Sequence, residues 1–190
     1  MVSKLIKLRK GQVSFPLNDI QDSGILNLEI HSPTIEELPK EISHLKQLQK
    51  LSIICPEVRD FPSFIFELTN LVQLKLKNTK IITIPESKTV FKSLRFLDLS
   101  GNKITELPDW FFIQDSLSEV NLSNNSLETI SESIFNLTSL TRLNLDSNKI
   151  THLPKSISLL KKLNHLSLDG NQLSEEEKQR IFEEFKIIIN

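Results

Sequence analysis

The stretch over residues 140–162 reads LTRLNLDSNKITHLPKSISLLKK, and it decides the fold. Leu143 and Leu145 alternate with polar residues, which predicts a short strand with one buried face. An asparagine and a Leu-Pro pair follow, where the chain leaves the strand and turns. Ile157 and Leu160 then lie at a spacing that suits one or two turns of α-helix or 3₁₀-helix. The stretch therefore predicts a strand, a turn and a short helical return.

This unit repeats along the chain at one constant interval. The Leu-Pro pair or its equivalent recurs every 23 residues, as from Leu107 to Ile130 and from Ile130 to Leu153. Full units begin at Ile25, Leu48, Leu71, Leu94, Leu117 and Leu140, and a truncated unit begins at Leu163. One unit cannot bury its own apolar side, whereas stacked copies share a core and pair their strands in parallel. The repeat therefore predicts an α/β solenoid with a parallel sheet on its concave side and short helical or 3₁₀ segments on its convex side.

Over residues 25–173 the chain resembles the leucine-rich-repeat family. The resemblance rests on the pattern L-x-x-L-x-L-x-x-N-x-L-x-x-L-P-x-x-I-x-x-L-x-x and on Ile-Phe-Asn-Leu-Thr-Ser-Leu at residues 134–140. These features are similar to the class with 23-residue repeats in bacterial proteins and in plant intracellular Ras-group-related proteins. The resemblance implies a right-handed arc and a non-catalytic scaffold that binds another protein with its concave sheet.

A column of asparagines follows the strands of the C-terminal units, and we expect it to be structural. It consists of Asn102, Asn125, Asn148 and Asn171. A buried amide needs hydrogen-bond partners, and the backbone of adjacent turns can supply them. The N-terminal units have Pro33, Pro56 and Thr79 in this column. Proline has no N–H to donate, so we expect the N-terminal half to be less regular.

Two units depart from the pattern on their return segments, where Lys88 and Gln114 occupy apolar positions. We expect neighbouring apolar side chains to turn inward and fill the space. The candidates are Val90, Phe91 and Ile113.

The ends of a solenoid need caps, because the end coils would otherwise expose the core. We divide the chain into an N-terminal cap or degenerate first repeat (1–24), the solenoid (25–173) and a C-terminal capping helix with its tail (174–190). Ser174 and Glu177 match a capping box that would begin this helix. At the other end, a hairpin turn at Lys10-Gly11 is the alternative to a degenerate repeat. The tail 187–189 is expected to be helix or a short strand. Three apolar side chains are expected to cover the last coil, those of Ile181, Phe182 and Phe185.

Composition limits the classes of function and location. Formal net charge is only −1, whereas a domain that binds nucleic acid usually has a strong basic excess. No apolar run reaches the roughly 18 residues that a membrane-spanning helix needs. The basic N-terminus precedes no long apolar run, so it does not read as a signal peptide. Cys55 is the sole cysteine, which favours an intracellular or bacterial protein over a disulfide-bonded receptor ectodomain. Location is left open between the cytoplasm and export by a bacterium.

The sequence offers no catalytic motif. It has no glycine-rich phosphate loop, H-E-x-x-H or nucleophile elbow. Cys55 and His31 fall a strand apart with no third group to orient them, and a free thiol at the rim of the sheet is the simpler interpretation. Asp146 and Asp169 are column neighbours, but two carboxylates alone are weak support for a metal site. We therefore predict no catalytic residue, cofactor or metal.

The side chains between the core leucines point out of the concave sheet, where we expect a partner to bind. The candidate partner-binding residues are Lys50, Ile54, Lys75, Lys77, Phe96, Asp98, Glu119, Asn121, Arg142, Asn144, Asp146, His165 and Asp169. Lysines make the early strands basic, and carboxylates make the later ones acidic. Phe96 is the expected apolar anchor, with the charges setting orientation. A solvated sheet face of mixed charge is the alternative interpretation.

Aromatic residues on the return segments offer a competing surface. They are Phe64, Phe66, Trp110 and Phe112. Packing between coils is the favoured role, and a contiguous exposed patch would instead indicate self-association.

The predicted function is a non-catalytic protein-binding module, and two biological roles fit it. Some bacterial members of the family attach to host cells, so the resemblance implies a host-interaction factor such as an adhesin or effector. The alternative is an intracellular regulatory scaffold similar to phosphatase-binding leucine-rich-repeat subunits.

Overall fold

The computed structural model describes residues 2–8 and 24–186. Within these ranges the chain forms one open sheet of eight parallel strands, which follow one another in sequence order. The strands are β1 (Val2–Lys7), β2 (Ile25–His31), β3 (Lys50–Ile54), β4 (Gln73–Leu76), β5 (Phe96–Asp98), β6 (Glu119–Asn121), β7 (Arg142–Asn144) and β8 (His165–Ser167). The return segments hold 3₁₀-helices at Lys40–His44, Ser63–Glu67, Asp109–Ile113, Glu132–Asn136 and Lys155–Leu159, and α1 (Glu175–Phe185) follows β8. The α/β solenoid predicted from the repeat is confirmed.

The core side chains of successive strands lie side by side. Leu74 pairs with Leu97, and Leu143 with Leu166, each at the interval of one repeat. All four are buried, while their neighbours in sequence point to the opposite face. The hydrophobic core therefore runs across the strands, and truncating one of its leucines to alanine is expected to cost about 2–5 kcal/mol.

A proline precedes most of the 3₁₀-helices. Pro39 and Pro108 have φ of −67° and −72°, and the ring favours such values before the chain folds. Ser131 replaces proline in one unit, and its side chain instead accepts a hydrogen bond from the Ser133 N–H at 3.1 Å. The serine thus supplies a side-chain cap where the repeat lacks its usual proline.

From β4 to β8 the chain leaves each strand through a turn that contains a residue in the left-handed conformation. Positive φ occurs at one repeat position, occupied by Asn78, Gly101, Asn124, Ser147 and Gly170. Glycine and asparagine tolerate this conformation better than other residues, which explains their use here.

The asparagine column follows immediately and ties each turn to the preceding coil. Asn125 donates from Nδ2 to the carbonyls of Leu99 and Leu122 at 2.9 and 3.0 Å. Its Oδ1 accepts from the Ile104 N–H at 3.0 Å. Asn148 and Asn171 repeat this arrangement, and Asn102 makes the same two types of carbonyl contact while accepting from the Thr79 hydroxyl. The amides therefore satisfy buried backbone groups of two coils at once.

The N-terminal units satisfy this turn differently. Pro33 and Pro56 are exposed, and in the first full unit Ser32 accepts a hydrogen bond from the Ile35 N–H at 3.0 Å. The strands here are also longer, with seven residues in β2 and three in β5.

Gln114 is itself buried, contrary to the expectation that its apolar neighbours replace it in the core. Val90 and Ile113 are exposed, and only Phe91 turns inward. The expected inward rotation of Val90 and Ile113 is wrong because the Gln114 amide finds backbone partners in the preceding coil. Lys88 lies exposed.

The last coil is covered by α1. Ser174 accepts a hydrogen bond from the Glu177 N–H at 3.1 Å, while the Glu177 carboxylate accepts from the Leu153 N–H of the last full unit at 2.8 Å. Ile181 is buried and Phe185 is half-buried, but Phe182 is exposed, so only part of the expected apolar stripe covers the coil. The proposed Lys10-Gly11 turn and the tail 187–189 lie outside the described residues. No helix within residues 2–8 and 24–186 is long and apolar enough to cross a membrane.

The convex aromatic residues pack between the coils. Phe64, Trp110 and Phe112 are buried, and Phe66 is half-buried. The Phe66 ring lies 5.3 Å from Trp110, centroid to centroid, in an edge-to-face arrangement. These four side chains therefore do not form the contiguous exposed patch that would indicate self-association.

Candidate functional site: the concave face

Three columns of side chains point out of the concave sheet. The first contains Ser3, Asn27, Lys50, Gln73, Phe96, Glu119, Arg142 and His165. The second contains Leu5, Glu29, Ser52, Lys75, Asp98, Asn121, Asn144 and Ser167. The third contains Lys7, His31 and Ile54, continued at the repeat interval by Lys77, Ser100, Ser123, Asp146 and Asp169.

The first column carries a run of exposed side chains from β5 to β8. Phe96 keeps 39% of its surface exposed, and Glu119, Arg142 and His165 are exposed beside it. Glu119 and Arg142 are register neighbours, yet they form no ion pair, and neither makes a side-chain hydrogen bond with another described residue. They line one concavity of about 320 Å³ together with Gln73, Lys75, Phe96, Asp98, Asn121, Asn144 and His165. The structure thus brings together eight of the predicted partner-binding residues.

From β5 to β7 the side chains of the second column bond to the turns that end the strands. Asp98 accepts hydrogen bonds from the Ser100 N–H at 3.0 Å and the Ser100 hydroxyl at 2.6 Å. Asn121 and Asn144 accept from the backbone N–H two residues further on, at 3.0 and 2.9 Å. Side chains that bond their own backbone in this way fix local turns. These three residues therefore have a structural role beside any contact with a partner.

Asp146 is also held within the protein. Its Oδ1 accepts from the Ser167 hydroxyl at 2.6 Å and from the Asp169 N–H at 2.8 Å. The Asp146 carboxylate is thus bonded to β8 and to the backbone that follows it. The described residues contain no group of three or more histidine, cysteine, aspartate or glutamate side chains arranged to hold a metal.

The basic end of the face extends further than the predicted site. Lys50 is exposed, while Lys75 and Lys77 are half-buried. Ile54 lies in a separate shallow concavity with Lys7, Leu8, His31, Pro33 and Pro56. Sequence reasoning missed Leu5, which is 49% exposed, and Lys7, because β1 pairs with β2 at an interval of 24 rather than 23 residues. The apolar alternation of residues 5–8 is the signal that could have found them.

The three columns have opposite charge at the two ends of the sheet. From β1 to β4 they contain four lysines and one glutamate, Lys7, Lys50, Lys75, Lys77 and Glu29. From β5 to β8 they contain four acids and one arginine, Asp98, Glu119, Asp146, Asp169 and Arg142. Lys75 and Asp98 are register neighbours at the boundary. With histidines neutral, the two halves carry net charges of +3 and −3.

Cys55 does not lie on this face. Its side chain is fully buried, so the expected thiol at the rim is wrong. Burial raises the pKa of the thiol to about 11, against the smaller opposing effect of backbone N–H groups. His31 instead contacts the Glu29 carboxylate at 2.7 Å. A thiol that stays protonated at neutral pH is a poor nucleophile.

The comparisons with known proteins agree on the family. A family model described as leucine-rich repeat matches residues 115–173, and one described as leucine-rich repeats in two copies matches residues 69–111. The chain is a leucine-rich-repeat protein. The search of curated protein sequences gives no match.

Solved structures of bacterial leucine-rich-repeat proteins are similar to this one. A leucine-rich-repeat protein of Leptospira interrogans is 30% identical, with a TM-score of 0.69 over 88% of this chain and 55% of that one. An internalin from Listeria monocytogenes is 25% identical, with a TM-score of 0.76 over 93% of this chain and 51% of that one. This leucine-rich-repeat protein therefore spans about half the length of those two chains.

A plant structure shows the same fold with a partner named in its description. The ectodomain of the Arabidopsis thaliana receptor kinase GASSHO1/SCHENGEN3, described in complex with CASPARIAN STRIP INTEGRITY FACTOR 2, is 28% identical, with a TM-score of 0.73. The match covers 84% of this leucine-rich-repeat protein and 20% of the plant chain. Leucine-rich-repeat domains generally mediate protein–protein interaction and are typically non-catalytic.

Proposed function

We propose that this protein binds a partner protein through its concave face and performs no catalysis. The observation that carries the proposal is the exposed row Phe96, Glu119, Arg142 and His165, which runs from β5 to β8. An aromatic side chain beside uncommitted charges is typical of the residues that contribute most to protein interfaces.

The absence of an ion pair between Glu119 and Arg142 supports this interpretation over a merely solvated face. Opposite charges at neighbouring sheet positions can pair with each other at little cost. Here both groups stay available to a second molecule, and the adjacent Phe96 offers apolar surface for it to cover.

A capture experiment with matched variants tests the proposal. The full chain serves as bait, either unchanged or carrying Phe96→Ala or Arg142→Glu. Ile113→Ala and Lys103→Glu are the controls, since both residues are exposed and lie outside the strands. A partner at the concave face is captured by the unchanged chain and by both controls, and is lost with Phe96→Ala or Arg142→Glu at an unchanged melting temperature. Equal capture by all five proteins would contradict the proposal.

We further propose that the partner is a host protein and that the chain acts as a bacterial host-interaction factor. The support is the similarity to two bacterial leucine-rich-repeat structures and the implication drawn from the family resemblance. Fractionation of the producing organism, followed by capture from host extract and from the organism's own cytoplasm, tests this role. Capture confined to a cytoplasmic protein of that organism favours the intracellular regulatory scaffold instead.

A further inference from the structure

The opposite charges at the two ends of the concave face indicate the charge pattern of a partner. Lysines dominate the columns from β1 to β4 and carboxylates dominate those from β5 to β8. Phe96 lies on β5, the first strand of the acidic half, beside Gln73. Complementary charge gives orientation and discriminates against wrong partners more than it adds raw affinity.

The dimensions of the face suit an extended segment. Neighbouring strands lie about 4.8 Å apart, so the five steps from β3 to β8 cover about 24 Å. An extended chain advances about 3.3–3.6 Å per residue, so about seven residues cross this distance. An acidic group over Lys50 and Lys75 would then be followed by an apolar residue near Phe96 and by basic groups near Glu119.

A second copy of this chain also has the required charges, but its shape fits less well. Two concave faces cannot touch along their whole length, whereas an extended segment can enter the concavity that Phe96, Glu119 and Arg142 line.

We infer that the concave face binds an extended segment of another protein whose charges are segregated, with acidic residues at one end, an apolar residue in the middle and basic residues at the other end. This inference rests on the proposed function and adds the chemistry of the partner. The segment crosses the strands with its acidic end over β3 and β4 and its basic end over β6 to β8.

Synthetic peptides of identical composition test the inference. The first has two glutamates, a serine, a leucine, a serine and two lysines in that order. The second has the same residues with glutamate and lysine alternating around the leucine. Reversing the first peptide is not a control, because it can bind in the opposite direction. We expect the segregated peptide to bind about tenfold more tightly than the alternating one, and to lose this advantage when salt rises from about 0.1 M to about 1 M.

Two doubly substituted chains locate the effect. Lys50→Glu combined with Lys75→Glu reverses the basic end, whereas Lys103→Glu combined with Lys149→Glu makes the same change of total charge at exposed residues outside the strands. The first chain should lose about tenfold in affinity for the segregated peptide and gain affinity for a peptide with lysine at both ends, while the second should bind as the unchanged chain does.

The outcomes separate this inference from the proposed function. Equal affinity for both peptides, or equal losses in both double variants, overturns the inference. Charge-dependent self-association of the chain alone also overturns it, because a second copy is then the occupant. If the peptides bind equally while Phe96→Ala still abolishes capture of a protein, the concave face remains the binding site and only the charge pattern is wrong. If Phe96→Ala changes neither peptide binding nor the capture of a protein, the proposed function fails as well.

Discussion

The Gln114 side chain accepts a hydrogen bond from the Phe91 N–H at 2.8 Å, across two successive coils. The amide nitrogen Nε2 of the same side chain donates to the carbonyls of Thr89 and Trp110 at 2.9 and 2.7 Å. The return segment that contains Phe91 has no 3₁₀-helix, unlike those of the other full units. The glutamine therefore satisfies backbone groups of the segment around Phe91 and of its own 3₁₀-helix, and these bonds compensate for its departure from the apolar pattern.

Replacing Gln114 by leucine, which the repeat pattern favours, should destabilise the protein. The Phe91 N–H and the carbonyls of Thr89 and Trp110 would each lose a hydrogen bond, and an unsatisfied buried group costs about 1–3 kcal/mol. We expect a loss of about 2–4 kcal/mol in urea unfolding after allowing for the apolar gain of leucine. Ile113→Leu is the control, because that residue is exposed. A Gln114→Leu protein more stable than the original would contradict this account.

The asparagine column should matter most where it is most buried. Asn125 is buried, whereas Asn171 at the end of the column is half-buried and more open to water. Asn125→Ala leaves the buried Ile104 N–H without a partner, and it removes one of the two amide donors from the carbonyls of Leu99 and Leu122, which still accept from Asn102 and Asn148. We expect a cost of about 1–3 kcal/mol, and a smaller cost for Asn171→Ala because water can reach the groups that it leaves. Thermal and urea unfolding measure both, and Asn136→Ala, at an exposed position, provides the baseline. Equal costs at positions 125 and 136 would show that the amides contribute nothing.

The junction between α1 and the last coil should depend on pH. Hydrogen bonds from Arg180, at 2.9 Å and 2.7 Å, hold the pKa of the Glu177 carboxyl below its ordinary value, against the opposing effect of burial. A lowered pKa in the folded state gives stability that is present above the unfolded pKa of about 4.3 and is lost as pH falls through the folded value.

Glu177→Gln should therefore lower the melting temperature at pH 7 by the equivalent of about 1 kcal/mol. The difference from the original protein should shrink as pH falls through the lowered pKa of the folded state, where the wild-type carboxyl also becomes neutral. Melting curves across this pH range measure the effect, with Glu176→Gln as the control at an exposed position on the same helix. A difference that persists unchanged at low pH would exclude the charge of Glu177 as its cause.

The repeat interval predicted which side chains share a column. From β3 onward, each strand residue pairs with the residue 23 positions earlier, on the preceding strand. Leu143 and Leu166 illustrate the core, and Phe96 and Glu119 the concave face. Leu5 escaped prediction because β1 is shifted by one residue relative to that interval. Gln114 escaped it because its partners are backbone groups of another coil, which spacing along the chain does not reveal.

The pattern also could not show which polar side chains are already bonded within the protein. Alternation gives the direction of a side chain from the sheet, and Asp98 and Glu119 both point outward. Their hydrogen bonds differ, since Asp98 ends a turn and Glu119 makes no side-chain bond with another described residue. Charge reversal at Asp98 or Asp146 is therefore unsuitable as a test of binding alone, because it also removes hydrogen bonds of the fold.

Substitutions at position 98 can separate the turn from the charge. Asn121 and Asn144 make the same type of turn in the same column, so Asp98→Asn should keep the acceptor and change stability by less than about 0.5 kcal/mol. Asp98→Ala removes it and should cost about 1 kcal/mol. Urea unfolding measures both, with Glu119→Gln and Glu119→Ala as the matched pair at an exposed position. If Asp98→Asn is as destabilising as Asp98→Ala, the negative charge and not the hydrogen-bond acceptor stabilises the turn. The effect of each charge substitution in this column on stability must then be subtracted before its effect on binding is interpreted.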